Sequence, residues 1–297
     1  GTIILQKRAT DTTMTKIVRP DRPALPSGLP RMKNDIALWL SSLSALHIFL
    51  RLTLKDSELA IPAPEFCPTN NPNCTRPDLF AFQVCSTIAL SYCGIQGVRH
   101  WHFTKRPHEN LPSTPEGRVF GYLPESETIA AVNFSFQLFD FLVSLTIDEH
   151  CTPVYMTHHF IAALVTFLSI RFQYFEYYGV FFYGCTEFSS VFLVYLDWAK
   201  FFPPAPGSLL DGWVGLCGPL FVVTFFVYRV FLWWKVSYTM WADTSRVYKS
   251  GSVHKLRPNT TSCLVLSFFS SVGMGLLQVY WSSLIIQELM NVLSGGE

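Results

Sequence analysis

Seven long apolar runs divide this 297-residue chain and leave little that could build a water-soluble core. They fall at about residues 35–54 (DIALWLSSLSALHIFLRLTL), 79–99, 128–147 (TIAAVNFSFQLFDFLVSLTI), 156–173, 178–199 (YGVFFYGCTEFSSVFLVYLDWA), 212–236 and 262–288. A helix needs about 20 mostly apolar residues to cross a bilayer, and each run comes close to that length. Clusters of proline, glycine and charge separate them: RPHENLPSTPEG, FFPPAPGS and KSGSVHKLRPN. Charged residues are only 14% of the chain, against roughly 25% in soluble domains, and they gather in the connections. One such run reads equally well as a buried helix of a large soluble protein. Seven, with almost no polar faces between them, do not. The expected fold is all-α, a polytopic membrane protein with about seven transmembrane helices.

Residues 1–34 differ. They are polar, proline-rich and basic, with Lys7, Arg8, Lys16, Arg19, Arg22, Arg31 and Lys33. They lack the apolar stretch of a secretory signal and read as a disordered basic tail. Met14, just before TKIVRP, leaves open whether residues 1–13 are native. A first span at 35–54, a loop at 55–78, a membrane domain at 79–288 and a short tail at 289–297 complete the division.

Lys and Arg concentrate in the cytosolic loops of membrane proteins. The tail, the 100–127 loop, the 171–177 turn and the 235–261 loop, with flanking Arg99 and Lys235, carry seventeen of them. The opposite side carries Lys55, Arg76 and Lys200. The N-terminus is therefore expected in the cytosol. Cys67 and Cys74 then fall in a non-cytosolic loop where a disulfide can persist, with two free thiols as the alternative. Asn73-Cys74-Thr75 in that loop is a glycosylation sequon, used or unused. Asn133-Phe-Ser, inside a span, and Asn259-Thr-Thr, on the cytosolic side, are expected to stay bare.

Ionisable groups inside a bilayer are costly and so turn toward protein or a cavity. His47 and Arg51 lie in the first run, Asp140 in the third, and His158 and His159 at the start of the fourth. Glu187 and Asp197 lie in the fifth, Arg229 in the sixth, and the polar Gln278 in the seventh. Charge neutralisation pairs Arg229 with Asp140 or Glu187. For any one of these residues an interhelical clamp without chemistry is the plainer reading.

The two histidines carry more. Adjacent helical residues point about 100° apart, so one faces a cavity while the other is held by a neighbouring helix. A neutral imidazole serves as a general base or as an acyl-accepting nucleophile. His158 is expected near the outer face, with Asp140 about 12 Å below that face on the preceding helix. With mid-membrane Glu187, these groups are placed to line one cavity open toward the outer half of the bilayer. A His pair that only anchors the helix start is the alternative.

No metal is expected: the histidines lack HExxH spacing, and the eight cysteines contain no CxxC pair. No glycine loop for phosphate and no serine elbow is visible. A net charge of +1 gives no basis for nucleic-acid binding, and no cofactor is expected.

Five segments, in order, resemble the helices of the TLC family, the fold shared by ceramide synthases and TLC-domain-containing proteins. They are VNFSFQLFDFLVSL with Asp140, MTHHFIAALVTFLS with His158 and His159, and GCTEFSSVFLVYLDW with Glu187, Ser189, Ser190 and Asp197. FFVYRVFLW with Arg229 and LLQVYWSSLIIQ with Gln278 and Trp281 follow. The resemblance runs from about 79 to 288 and is best from 128 onward. It implies six helices around a central cavity, with one additional span outside. It also implies that His158 or His159 takes an acyl group or an amine proton, while Asp140 and Glu187 orient the histidines. Ser189, Ser190, Asp197, Arg229, Gln278 and Trp281 would line the cavity or brace it. In ceramide synthases the acyl group comes from acyl-CoA, the co-substrate, and goes to a sphingoid amine.

The chain departs from the ceramide-synthase pattern. CTPVYMTHH replaces a longer acidic stretch, Ala162 and Ile170 replace a Thr and a Tyr, and Thr186-Glu187 replaces a His-Asp pair. The orientation read from Lys and Arg also sets the His pair at the outer end, away from cytosolic acyl-CoA. The resemblance therefore points to the TLC-domain-containing branch. The expected function is lipid handling in the endoplasmic reticulum or another endomembrane, with an acyl chain or sphingolipid in the cavity. N-acyl transfer through His158 and His159 is the alternative. A transporter is disfavoured, since no inverted repeat or pair of Gly/Pro-broken helices is visible. Membrane lipid is the expected partner, nucleic acid is not, and a homodimer stays open.

Overall fold

The fold was obtained as a computed structural model that describes residues 28–67, 71, 74–104 and 114–294. Proline and small polar residues set where its helices begin. Pro77, Pro124 and Pro153 open α2 (Pro77–Phe103), α4 (Pro124–Ser144) and α5 (Pro153–Phe172). Proline at the first helical position forfeits only an N–H that has no partner there. The Thr152 side chain accepts from Tyr155 N–H to cap α5, and Ser208 accepts from Asp211 N–H to cap α7 (Leu209–Lys249). α1 (Gly28–Thr53), the short α3 (Pro115–Phe120), α6 (Glu176–Phe201), the short α8 (Ser252–Leu256) and α9 (Thr261–Leu293) complete the set. No strand occurs among the described residues.

Six of these helices, α1, α2, α5, α6, α7 and α9, are long and apolar enough to cross a membrane. The chain is an integral, multi-pass α-helical membrane protein. α4 stands where the third of the seven spans was expected. Its 21 residues reach about 31 Å, long enough to cross. It is less apolar because protein surrounds it: Ser126, Asn133, Ser135, Gln137, Asp140 and Ser144 are all buried. A helix that faces other helices can carry polar groups that lipid would not tolerate.

The packing forms a ring. α2, α4, α5, α9, α7 and α6 follow one another around it, and α6 closes back onto α2. α1 lies outside, against α2 and α4, with Met32, Ile36 and Leu43 buried in the contact. The α2–α6 crossing is the tightest. A Cβ on Gly97 would lie 2.2 Å from the Gly184 carbonyl carbon, and one on Gly184 would lie 2.6 Å from Gly97 Cα. Only glycine permits this backbone approach.

Three boundaries differ from expectation. Residues 28–34, expected in the disordered tail, are helical: Met32 packs inward and Arg31 pairs with Glu127. Residues 1–27 and the sequon residue Asn73 lie outside the described residues. The stretch after 236, expected as a loop, continues α7 to Lys249. It is amphipathic and buries Val236, Met240, Asp243 and Val247, with Asp243 held by Arg118 of α3 and by the Tyr178 hydroxyl. Residues 289–293, expected in the tail, extend α9.

The described residues between α1 and α2 cover the end of the ring that carries the α4–α5 turn. Cys67 and Cys74 are joined in it by a disulfide. Ala63 N–H donates to Phe201 O at 2.7 Å, Arg76 N–H to Ala60 O at 2.7 Å, and the Phe66 ring lies 4.8 Å from that of Phe201.

Candidate functional site

α4 and α5 bring the central pair together. Asp140 Oδ2 is 3.5 Å from His159 Nδ1. Asp140 was expected well below the histidines. Because α4 ends at Ser144 and α5 begins at Pro153, both residues lie a turn or two from the same end, at one depth. Helical spacing supplies the neighbours. Gln137 shares a face with Asp140, and Tyr155 shares one with His159. The Tyr155 hydroxyl donates to Asp140 Oδ2 at 3.1 Å, and the Ser144 hydroxyl donates to Oδ1 at 3.0 Å. His159 Nδ1 is 2.7 Å from Gln137 Oε1. An amide oxygen only accepts, so Nδ1 carries the proton and Nε2 the lone pair.

His158 points to a different neighbour. Its ring is 4.8 Å from that of His159, nearly perpendicular, and 5.2 Å from Trp281. Its Nδ1 is buried and has no hydrogen-bond partner among the described residues.

Arg229 pairs with Glu187, not Asp140. Its Nη2 donates to Glu187 Oε2 at 3.0 Å and to Ser190 Oγ at 2.6 Å. Its Nε donates to Thr186 O at 3.0 Å and to Ser189 Oγ at 2.9 Å. Ser190 Oγ also donates to Glu187 Oε2 at 2.8 Å. Both charges are buried and satisfied, which joins α6 to α7 beside the cavity. Backbone π-turns at Val180–Cys185 and Phe225–Phe231 accompany this contact; such bulges often occur at functional sites.

These groups surround a cavity of about 420 Å³ inside the ring. Asp140, His158, His159, Glu187, Ser189, Ser190, Asp197, Arg229 and Trp281 line it together with apolar side chains such as Phe82, Leu90 and Phe136. A smaller chamber of about 80 Å³ adjoins it and shares Gln137, His158, Glu187 and Arg229; Gln278 lines only this one. His47 lies elsewhere, edge-on to Phe139 at 5.6 Å between α1 and the ring, and Arg51 is exposed. Gln137 and Tyr155 were not singled out in the sequence. Their spacing from Asp140 and His159 was the available signal.

Over the larger chamber, the α4–α5 turn holds His150, whose ring lies 4.6 Å from Phe82. Burial pushes the His150 pKa down to about 4. The preceding Glu149 receives Arg76 in bidentate fashion, at 2.6 and 2.9 Å, and this bond holds its carboxyl below the ordinary range. The covering loop is thereby tied to the turn above the site.

A family model described as the TLC domain matches residues 79–287, most of the chain. No curated protein matches it in sequence.

Proposed function

The chain belongs to the TLC-domain family, and from that premise we propose that it handles membrane lipid by holding an acyl chain in the ring cavity. The observation that carries this reading is the cavity itself. Its volume falls in the range of about 300–1,000 Å³ usual for small-molecule sites, which are apolar-walled with a few polar groups at fixed points. A bundle embedded in lipid gives an acyl chain a short route into such a space. A cytosolic N-terminus fits the distribution of Lys and Arg, and the family resemblance favours an endomembrane.

A second reading, acyl transfer, is favoured by one specific arrangement. The His159 Nε2 lone pair belongs to a side chain fixed through Nδ1 by Gln137, with Asp140 beside it. Asp140 would stabilise the imidazolium as a proton arrives. In the step envisaged, Nε2 takes a proton from an amine as its nitrogen bonds to a thioester carbonyl carbon. The carbon–sulfur bond breaks, and the thiolate takes the proton from the imidazolium. Glu187 is less suited to this role, because Arg229 and Ser190 occupy it.

Purified wild type and a His158→Ala/His159→Ala double variant, each in lipid, test both readings. Extraction and mass spectrometry report bound lipid, and incubation with a labelled acyl-CoA and a sphingoid base reports amide product. Retained acyl lipid without product supports lipid handling alone. Product from the wild type only supports transfer at the His pair. Absence of both bound lipid and product contradicts the proposal.

A further inference from the structure

The smaller chamber is not a plain slot for hydrocarbon. Its α9 wall presents Ser267, Ser270, Met274 and Gln278, a stripe spaced by three and four residues along one helical face. Gln278 is 1% exposed, and its Oε1 has no hydrogen-bond partner among the described residues. Trp233, from α7, is 6% exposed, and its Nε1 has none there either. Both side chains line this chamber. One glycine brings them near each other: a Cβ on Gly275 would lie 3.0 Å from Trp233 Nε1, and Gln278 follows Gly275 by one turn on the same face. An indole N–H only donates, and an amide oxygen only accepts. Besides His158 Nδ1, the chamber thus offers an indole donor and an amide acceptor in a setting where buried polar atoms are rarely left unpaired.

We infer that this chamber holds a hydroxyl group carried by the bound lipid. Among the groups a lipid chain carries, a hydroxyl is the smallest uncharged one that can accept from Trp233 and donate to Gln278 at once. A hydrocarbon chain offers neither function, and an ester or a carboxylate only accepts. A volume of about 80 Å³ admits the few atoms around that hydroxyl, while the larger chamber takes the rest of the chain. The inference rests on the lipid-binding reading and adds a selectivity to it, hydroxylated chains over plain ones.

The test is equilibrium binding to the full chain in nanodiscs, read by displacement of a fluorescent fatty acid. The probes are stearate and stearate carrying one hydroxyl near the carboxyl, midway along the chain, or near the tail. One hydroxylated isomer is expected to bind about tenfold more tightly than stearate, the effect of about one well-made hydrogen bond. Gln278→Leu and Trp233→Phe are each expected to bring that isomer down to the level of stearate, with a thermal unfolding transition showing that the variant is folded. Gln278→Met carries the same expectation if the leucine variant does not fold. Equal affinity for all the probes overturns the inference, as does a preference that survives the substitutions in folded protein. Failure of every probe to bind, stearate included, overturns the lipid-binding reading and this inference with it. The two failures are therefore distinguishable.

Discussion

Asp140 Oδ2 lies 3.5 Å from His159 Nδ1 across the α4–α5 contact, with Gln137 Oε1 closer still at 2.7 Å. The imidazole is held at one nitrogen by two neighbours on a single face of α4, and its other nitrogen remains available. If the protein transfers acyl groups, His159→Ala is expected to lower turnover by about a hundredfold to ten-thousandfold, the usual contribution of a positioned acid–base group. Bound acyl lipid should persist. Unchanged turnover in a folded variant removes His159 from the chemistry.

The Glu187–Arg229 pair predicts an asymmetry in stability. Glu187→Gln leaves a buried guanidinium without its counter-charge, and such losses cost about 3–5 kcal/mol. The double variant Glu187→Leu/Arg229→Met removes both charges and should recover much of that loss, since the two sites are directly coupled. Thermal unfolding in detergent measures it. A double variant as unstable as the sum of its single parts contradicts the pairing.

Gly97 and Gly184 set the distance between α2 and α6. Gly97→Val puts a Cβ and two methyl groups where backbone already stands, and is expected to cost at least about 1–3 kcal/mol, the usual range for overpacking. Size-exclusion profiles and melting curves report it. A variant that melts with the wild type would show that the crossing is looser than the geometry described.

Acid should loosen the end of the ring under the covering loop. His150 has a lower pKa folded than unfolded, so the folded state binds fewer protons. Its contribution is complete above pH 6.5 and is lost as pH falls toward about 4. Glu149, also lowered, adds a loss of the same sign at more acidic pH, below 4.5. The stability of the wild type relative to His150→Phe should therefore hold above pH 6.5 and decline below it. A difference in melting temperature that moves in the wild type's favour on mild acidification contradicts this sign.

Orientation has its own probe. Cys151 is exposed in the α4–α5 turn, on the side assigned away from the cytosol. A membrane-impermeant maleimide should leave it unlabelled after selective opening of the plasma membrane and label it once endomembranes are opened. Labelling at the first step inverts the topology.

Much of the architecture was legible because lipid imposes long apolar runs, and the His pair stood out because ionisable groups are rare inside them. α4 shows where that signal weakens. Its run was visible, but Asn133, Gln137 and Asp140 make it less apolar than its neighbours because it faces protein. The continuation of α7 past Val236 was obscured by its charges: Arg246 and Lys249 are exposed, while Asp243 is buried against Arg118 of α3. Gln137 and Tyr155 are ordinary polar residues until the α4–α5 contact puts them around His159. The choice of Glu187 over Asp140 as the partner of Arg229 depended on which helices adjoin, and hydropathy carries no record of that.

The most direct measurement is photo-crosslinking of a diazirine-bearing fatty acid to the purified protein in nanodiscs, with the modified peptides mapped by mass spectrometry. Adducts are expected on cavity-lining residues of α2, α5 and α9, such as Leu90, His158 and Trp281, suppressed by unlabelled stearate and by Leu90→Trp. Adducts confined to outward residues such as Val223 and Phe269, with no competition, would contradict a lipid site inside the ring.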